Sequence, residues 1–448
     1  MVFSIVSTAP GRICLYGDHQ DYLLNPVIAC AINRSIEVRA TAREGCGDGA
    51  VQLHVHKPDL GESSTTITFD EHGAADDDNN GGGGSSGSLD FLRLALTVLR
   101  RYKCVPLRSY DVAIRGTLPI NAGLSSSSAL TAAFIHFLVA AFGVECPNPH
   151  SSGGDAVFRA APVSLAESGA AAEEVEVLPL PLLARLTWET EVLELGTAGG
   201  KMDHYSLCLG AGILLHTRSD TWQRFTTRSL PLRLVLAVSG QRKDTNGTLS
   251  HLKTLQMEAL AALQAKRPLF DATALAADPA LTADCRGWAA DPKSTIGPLV
   301  HELADKPQLQ PYLRAALLNH VITASAALLL LPSVQSTASG VEGAHGVDDD
   351  AVVQGLGVLM NLHHASLRDD LRNSTDLIER IVAAASTAGA AGAKIVGSGG
   401  GGCVVAIATS DVGAQAVAAA MKEAGAVESF VVQESSTGPQ VMIQNVAV

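Results

Sequence analysis

Apolar positions recur with a period of two through Ile36–Ala40, Val51–Val55 and Thr65–Phe69, which predicts three β-strands. From Leu89 to Tyr102 the period lengthens. Phe91, Leu92, Leu94, Ala95, Val98 and Leu99 fall on one face and Arg93, Arg100 and Arg101 outside it, the pattern of an amphipathic helix. Tyr110–Ile114 returns to strand. Ser125–Phe142 then runs almost unbroken in apolar residues after its first turn, as a helix buried on all sides does. Gly210–His216 and Leu234–Val238 read as strands, and the Ala-rich stretch up to Ala385 as helix. A strand Ala393–Val396, a glycine turn Gly397–Gly402 and a strand Val404–Ala408 follow, then a helix Val412–Ala424 and a last strand near Ser429–Gln433. This mixture predicts an α+β protein with a domain break near 220–232, where WQRFTTRSLP interrupts the pattern.

Three stretches break the rhythm by composition. Residues 72–88 (HGAADDDNNGGGGSSGS), 147–176 and 335–350 are acidic or Gly/Ser-rich, and each is expected to be a disordered insertion. The length of 448 residues exceeds what a single core supports, so two domains are expected, residues 1–228 and 229–448. A net charge of -13 opposes nucleic acid or an anionic membrane as partner, and an anionic substrate would need a local basic pocket. The eight cysteines are scattered without close pairs, which predicts reduced thiols and a cytoplasmic setting. No leader is evident, and the apolar runs Phe134–Val144 and Ile322–Leu331 are shorter than the ~20 residues that span a bilayer. The pattern leaves the oligomeric state open.

Four segments carry candidate chemistry. In PINAGLSSSSAL, Pro119 and the turn at Gly123-Leu124 precede Ser125, Ser126, Ser127 and Ser128 at a helix start. One serine there is most simply an N-cap. Four behind a glycine favour a phosphate loop, because free backbone N–H groups and the positive helix end meet at one point. No Gly-Lys-Ser/Thr follows, so it is not a Walker A loop. In APGRICLYGDHQDY, the cluster Arg12, Asp18, His19, Asp21 and Tyr22 suits a polyol pocket, although any one of them alone fits a surface turn. Asp203 follows Gly199-Gly200 and precedes an apolar strand, as either a turn residue or a buried base, and Glu191 lies upstream on a predicted helix. In GAKIVGSGGGGC, Gly397, Gly399 and Gly400 lie between two strands. A helix would follow in a dinucleotide fold, so this turn instead lets backbone approach a ligand or another loop.

Together these segments, in this order, resemble the GHMP kinases, most of all the galactokinase branch. APGRICLYGDHQDY is similar to that branch's sugar motif, PINAGLSSSSAL to the ATP-phosphate loop, GAKIVGSGGGGC to the third motif, and GVLMNLHHASLRDD (357–370) to a C-terminal helix of galactokinases. The resemblance implies an N-terminal domain like domain 2 of ribosomal protein S5 and a ferredoxin-like C-terminal domain. It makes Asp203 the catalytic base with Arg12 beside it, and assigns the sugar to Asp18, His19, Asp21 and Tyr22. It gives the ATP phosphates to Gly123–Ser128 and the glycine turn, and Mg²⁺ to Ser127 and Glu191, with the run of four serines leaving that register open by one residue.

The departures fall on the sugar side. Asp18 stands for a usual glutamate, Cys14 for an asparagine, His204 for a glutamine, and Lys201 for an apolar or small residue. The expected activity is ATP- and Mg²⁺-dependent phosphorylation of a sugar at its anomeric hydroxyl, galactose first, with L-arabinose, L-fucose or a uronic acid as alternatives. A non-catalytic sugar- and ATP-binding regulator is the rival from another class. The GDHQDY cluster opposes a mevalonate-type substrate, which offers fewer hydroxyls. The acidic trio Asp18, His19 and Asp21 favours a neutral sugar unless Lys201 reaches the pocket.

Overall fold

The computed structural model describes residues 2–43, 51–56, 65–70, 73–76, 87–119, 122–149, 157–163, 173–227, 230–241, 244–271, 292–331 and 349–446. A ten-stranded sheet is built round the long antiparallel pair Val2–Tyr16 and Val27–Ala42, with Val6 opposite Arg39 and Cys14 opposite Ala29. On one side it continues through Tyr110–Gly116 to Val51–His56, which runs parallel to it, then Thr65–Asp70 and Gly73–Asp76. On the other side lie Gln440–Val446 and Glu173–Glu174. Gly212–His216 pairs with the start of Val27–Ala42 and forms a hairpin with Thr221–Phe225.

The half of the long pair that shows no period-two pattern in the sequence is the half without alternation in burial. Val27 through Ile32 are all buried, because one face meets the core and the other meets neighbouring elements. Only beyond Arg34 does burial alternate, and there the period-two pattern is legible. Within the stretch read as an interruption, Thr221–Phe225 is a strand: backbone pairing makes it one although its side chains are half polar.

Short pieces of the expected insertions are likewise strand or helix. Gly73–Asp76 completes the sheet edge, and Val144–Pro147 pairs with Val157–Ala160. Glu173–Glu174 pairs with Gln440–Val446, and Asp349-Asp350 open a helix, where acidic side chains suit the positive end. Ladder hydrogen bonds use the backbone, so composition alone could not exclude these strands. The remainder of 72–88, 147–176 and 335–350 lies outside the described residues, apart from short flanking pieces.

The helix Ser126–Phe142 crosses the long strand pair and is buried on nearly every side from Ser128 onward, as its apolar run requires. A second sheet is antiparallel throughout, in the order Gly392–Val396, Cys403–Ala408, Arg233–Val238, Glu428–Val432. Val235 and Ala237 pack with Ile378, Ile381 and Val417 of the helices Asp376–Thr387 and Asp411–Glu423. Leu234, Leu236 and Val238 face the main core, with the helices Thr245–Lys266, Gln310–Leu330 and Asp349–Asp369. The closing strand Gln440–Val446 returns to Val2–Tyr16, so a division at 228/229 separates two strands that pair. By length and composition Pro307–Leu330 could cross a membrane, and 72% of its apolar window is buried inside the protein.

Candidate active site

A pocket of about 170 Å³ opens where the first strand ends, between the serine helix and the second sheet's glycine turn. A register shift at Pro10/Gly11 interrupts the pairing of the first two strands just before Arg12, and bulges of this kind re-aim side chains beside active sites. Arg12 turns inward, 4% exposed, and donates through Nε to Asp203 Oδ1 at 2.8 Å and through Nη1 to the Gly123 carbonyl. The Leu124 carbonyl accepts from the Arg12 backbone N–H at 3.2 Å. One arginine thus straps the serine loop to the carboxylate. Asp203 lies in the first turn of the helix Met202–Leu209 and is 31% exposed, so it faces the pocket while its partner is sealed behind it. Burial alone would raise its pKa, but the Arg12 guanidinium overrides this and holds the carboxylate below its usual value.

The serine loop does not cap its helix. Ser125 is left-handed, φ 59° and ψ 45°, and its side chain makes no cap hydrogen bond. By contrast, Asp244, Thr375 and Ser410 each accept a first-turn N–H at the starts of their helices. The first-turn amides of the serine helix are therefore left to the pocket, which Gly123 and Ser125–Ser128 line. Leu124 is buried behind them, and Pro119 is half-buried away from the pocket. Ser127 is exposed, whereas Ser128 is buried and donates to Glu191 at 2.5 Å. Glu191 sits in a π-helical turn, Glu189–Glu194, and lines the same wall.

Asp18, His19, Asp21 and Tyr22 all reach the pocket wall. Asp18 is fully buried and committed: Oδ2 accepts from Lys394 Nζ at 2.5 Å and Oδ1 from the Gly397 N–H at 2.7 Å. Burial would raise its pKa, and Lys394 reverses this, bringing it to about 2. His19 holds a left-handed backbone, φ 62°, with the Tyr22 hydroxyl 3.0 Å from Nδ1 and the Asn373 amide nitrogen 3.1 Å from Nε2. Asp21 accepts from the Met202 and Tyr22 backbone N–H groups at 3.2 and 3.0 Å. Burial and the nearby Asp203 charge still push it up to about 6. Gly200 makes this approach possible, since a Cβ there would lie 2.2 Å from the Asp21 carboxylate.

Of the glycine turn, Gly397 lines the pocket with Ser398. Gly399 and Gly400 stand behind it and clasp Asn373: the Gly400 N–H donates to the Asn373 carbonyl at 2.6 Å, and a Cβ on Gly399 would lie 2.5 Å from that oxygen. Lys201 turns away to Asp220, with its ammonium 5.0 Å from the Trp188 ring centroid, and is absent from the pocket wall. Lys394 and Asn373 were not among the expected residues. A lone lysine in the apolar strand GAKIV was a readable signal for the first. Thr245 and Asn246, which start a helix across the pocket, gave none.

The comparisons with known proteins fall on the same segments. A model of the GHMP kinase N-terminal domain matches residues 90–151, one of the GHMP kinase C-terminal domain matches 351–427, and the galactokinase galactose-binding signature matches 3–41. The chain belongs to the GHMP kinases. As a GHMP kinase it is a phosphotransferase, and this family uses ATP as substrate. A galactokinase of Streptomyces coelicolor is 26% identical over 425 residues, 94% of this chain and 88% of that protein. A mevalonate kinase of Thermococcus onnurineus is 24% identical over 404 residues, 90% and 89% of the two chains. The crystal structure of Lactococcus lactis galactokinase complexed with galactose superposes with a TM-score of 0.66 at 19% identity, covering 97% of this GHMP kinase and 94% of that chain, a likeness of fold.

Among the described residues no cluster of three or more metal-ligating side chains exists. A single carboxylate beside serine hydroxyls fits Mg²⁺, a hard cation that keeps waters and substrate phosphates as its other ligands.

Proposed function

We propose that this GHMP kinase transfers the γ-phosphoryl group of ATP to the anomeric hydroxyl of a neutral monosaccharide, galactose first among them. The observation that carries the reading is the Arg12–Asp203 pair: a pocket-facing carboxylate, held ionised by a buried guanidinium, next to the residues of a galactose-binding signature. Asp203 accepts the proton of the sugar hydroxyl as its oxygen bonds to the γ-phosphorus and the bond to ADP's oxygen breaks. An anomeric hydroxyl is more acidic than an ordinary alcohol, so a carboxylate of low pKa serves as base. Arg12 stabilises charge on the transferred group. The serine-helix amides and the Gly397 turn hold the phosphates, and Glu191 with Ser127 would hold Mg²⁺, which neutralises phosphate charge when bound. Asp18, His19, Asp21 and Tyr22 read the sugar's hydroxyls. We place the enzyme in the cytoplasm, where its described cysteines, all buried, stay reduced.

A mevalonate-type acceptor is the second reading, favoured by the full-length likeness to the Thermococcus enzyme. ATP consumption measured with galactose, L-arabinose, L-fucose, galacturonate and mevalonate decides between them. Turnover of galactose or L-arabinose well above mevalonate supports the sugar kinase. Mevalonate as the preferred acceptor, or no ATP consumption with any of the five, defeats it.

A further inference from the structure

Three side chains hold Glu191 at once. Its Oε2 accepts from the Ser128 hydroxyl at 2.5 Å and from His204 Nε2 at 2.8 Å, and its Oε1 accepts from the Thr131 hydroxyl at 3.2 Å. Glu191 is 5% exposed and none of the three donors exceeds 3%, so water does not compete for these bonds. The donors come from the serine helix and from Met202–Leu209, and both converge on the π-helical turn. Successive helical residues point about 100° apart, so Ser128 reaches back to Glu191 while Ser127 stays open to the pocket.

We propose that His204 and Ser128 are positioning residues, which orient the Glu191 carboxylate toward the divalent cation carried by the nucleotide. The proposal rests on the ATP- and Mg²⁺-dependent reading above. An ionised carboxylate has about four acceptor directions. Three of Glu191's are filled, so one remains, and the carboxylate meets a cation in a single fixed orientation. Among the described residues the His204 ring makes this its one hydrogen bond: Nδ1 has no partner there, so the ring donates through Nε2–H. Because His204 follows Asp203 in the same helical turn, one backbone segment sets both the base and the metal carboxylate. It also gives the fourth serine a task distinct from phosphate binding.

The test is Mn²⁺ binding to the full-length protein with ADP present, followed by electron paramagnetic resonance, with metal-free ADP affinity measured in parallel. His204→Leu and Ser128→Ala are expected to weaken Mn²⁺ binding 10–100-fold, the usual effect of losing a partner of a ligand, with ADP affinity unchanged. His204→Gln, whose amide N–H can stand where Nε2–H stood, should return to within a few-fold of wild type. A role in packing alone predicts no such rescue and no selective loss of metal. Wild-type Mn²⁺ binding in both His204→Leu and Ser128→Ala, alongside a clear loss in Glu191→Gln, overturns the inference and leaves the functional reading standing. Equal binding by wild type and Glu191→Gln overturns the metal reading and the inference with it. Should His204→Leu fail to fold, Ser128→Ala decides alone.

Discussion

Lys394 Nζ meets Asp18 Oδ2 at 2.5 Å with both side chains wholly buried, joining the last turn of the sugar motif to a strand of the second sheet. The same carboxylate accepts the Gly397 N–H, so one side chain ties the sugar loop to the glycine turn. A buried pair of this kind stabilises little relative to an apolar pair of the same shape, but losing one partner strands a charge. Lys394→Met should therefore cost about 3–5 kcal/mol, and Asp18→Asn in the same chain should recover much of that. Unfolding midpoints of the two single variants and the double variant test it. Additive losses would mean that the two side chains do not act as a pair. Because the folded pKa of Asp18 is depressed to about 2, its contribution is full above the unfolded value near 4 and is lost as pH falls toward 2.

Asp21 works in the opposite sense. Its folded pKa is raised to about 6, so the folded state holds the proton more tightly than the unfolded chain. Its contribution to stability is full below about pH 4 and is lost as pH rises through 6, with a slope of about 1.4 kcal/mol per pH unit between the two values. Asp21→Asn should remove that slope and raise the unfolding midpoint at pH 7. It should also raise the sugar KM, because an amide cannot accept as a carboxylate does. A midpoint at pH 7 unchanged or lowered in Asp21→Asn would show that the hydrogen bonds from Met202 and Tyr22 outweigh burial.

How much of this was legible depends on what sets each contact. The serine run and the GDHQDY cluster are local, so each was legible by itself as candidate chemistry, while their meeting in one pocket is seen only in the fold. Arg12 and Asp203 lie 191 positions apart and were joined through resemblance, since no periodicity links them. Lys394 arrives on a strand of the second sheet and Asn373 on the turn between the helices Asp349–Asp369 and Asp376–Thr387, and their meeting with Asp18 and His19 more than 350 positions away is not encoded in either segment alone. The strands Val2–Tyr16 and Gln440–Val446 were missed for the same reason: their pairing spans the whole chain.

Asp18, His19 and Asp21 were expected to favour a neutral sugar unless Lys201 reached the pocket, and the position of Lys201 argues against that exception. Its ammonium is 2.5 Å from Asp220 Oδ1 and stacks on Trp188, off the pocket wall. Lys201→Ala should leave the ratio of kcat/KM for galactose over galacturonate within about threefold of wild type, with a loss of stability under about 1 kcal/mol from a partly exposed pair. A tenfold change in that ratio would show that the lysine swings into the pocket when sugar binds.

Asp203→Asn tests Asp203 as the proposed base. The amide keeps the shape and one acceptor oxygen for Arg12, so the loop strapping through Gly123 and Leu124 stays in place. What is lost is the proton acceptor, worth about 10²–10⁴-fold in kcat for a general base. Sugar and nucleotide dissociation constants, measured by calorimetry, should move by less than about tenfold. Because Arg12 holds the wild-type carboxylate below its usual pKa, the acid limb of kcat/KM against pH should lie below the ordinary aspartate value, and neutral pH should sit on the plateau. More than half of wild-type turnover in Asp203→Asn would assign the proton to another acceptor. In the described pocket the nearest rival is Asp21, whose pKa of about 6 would then appear as the acid limb instead.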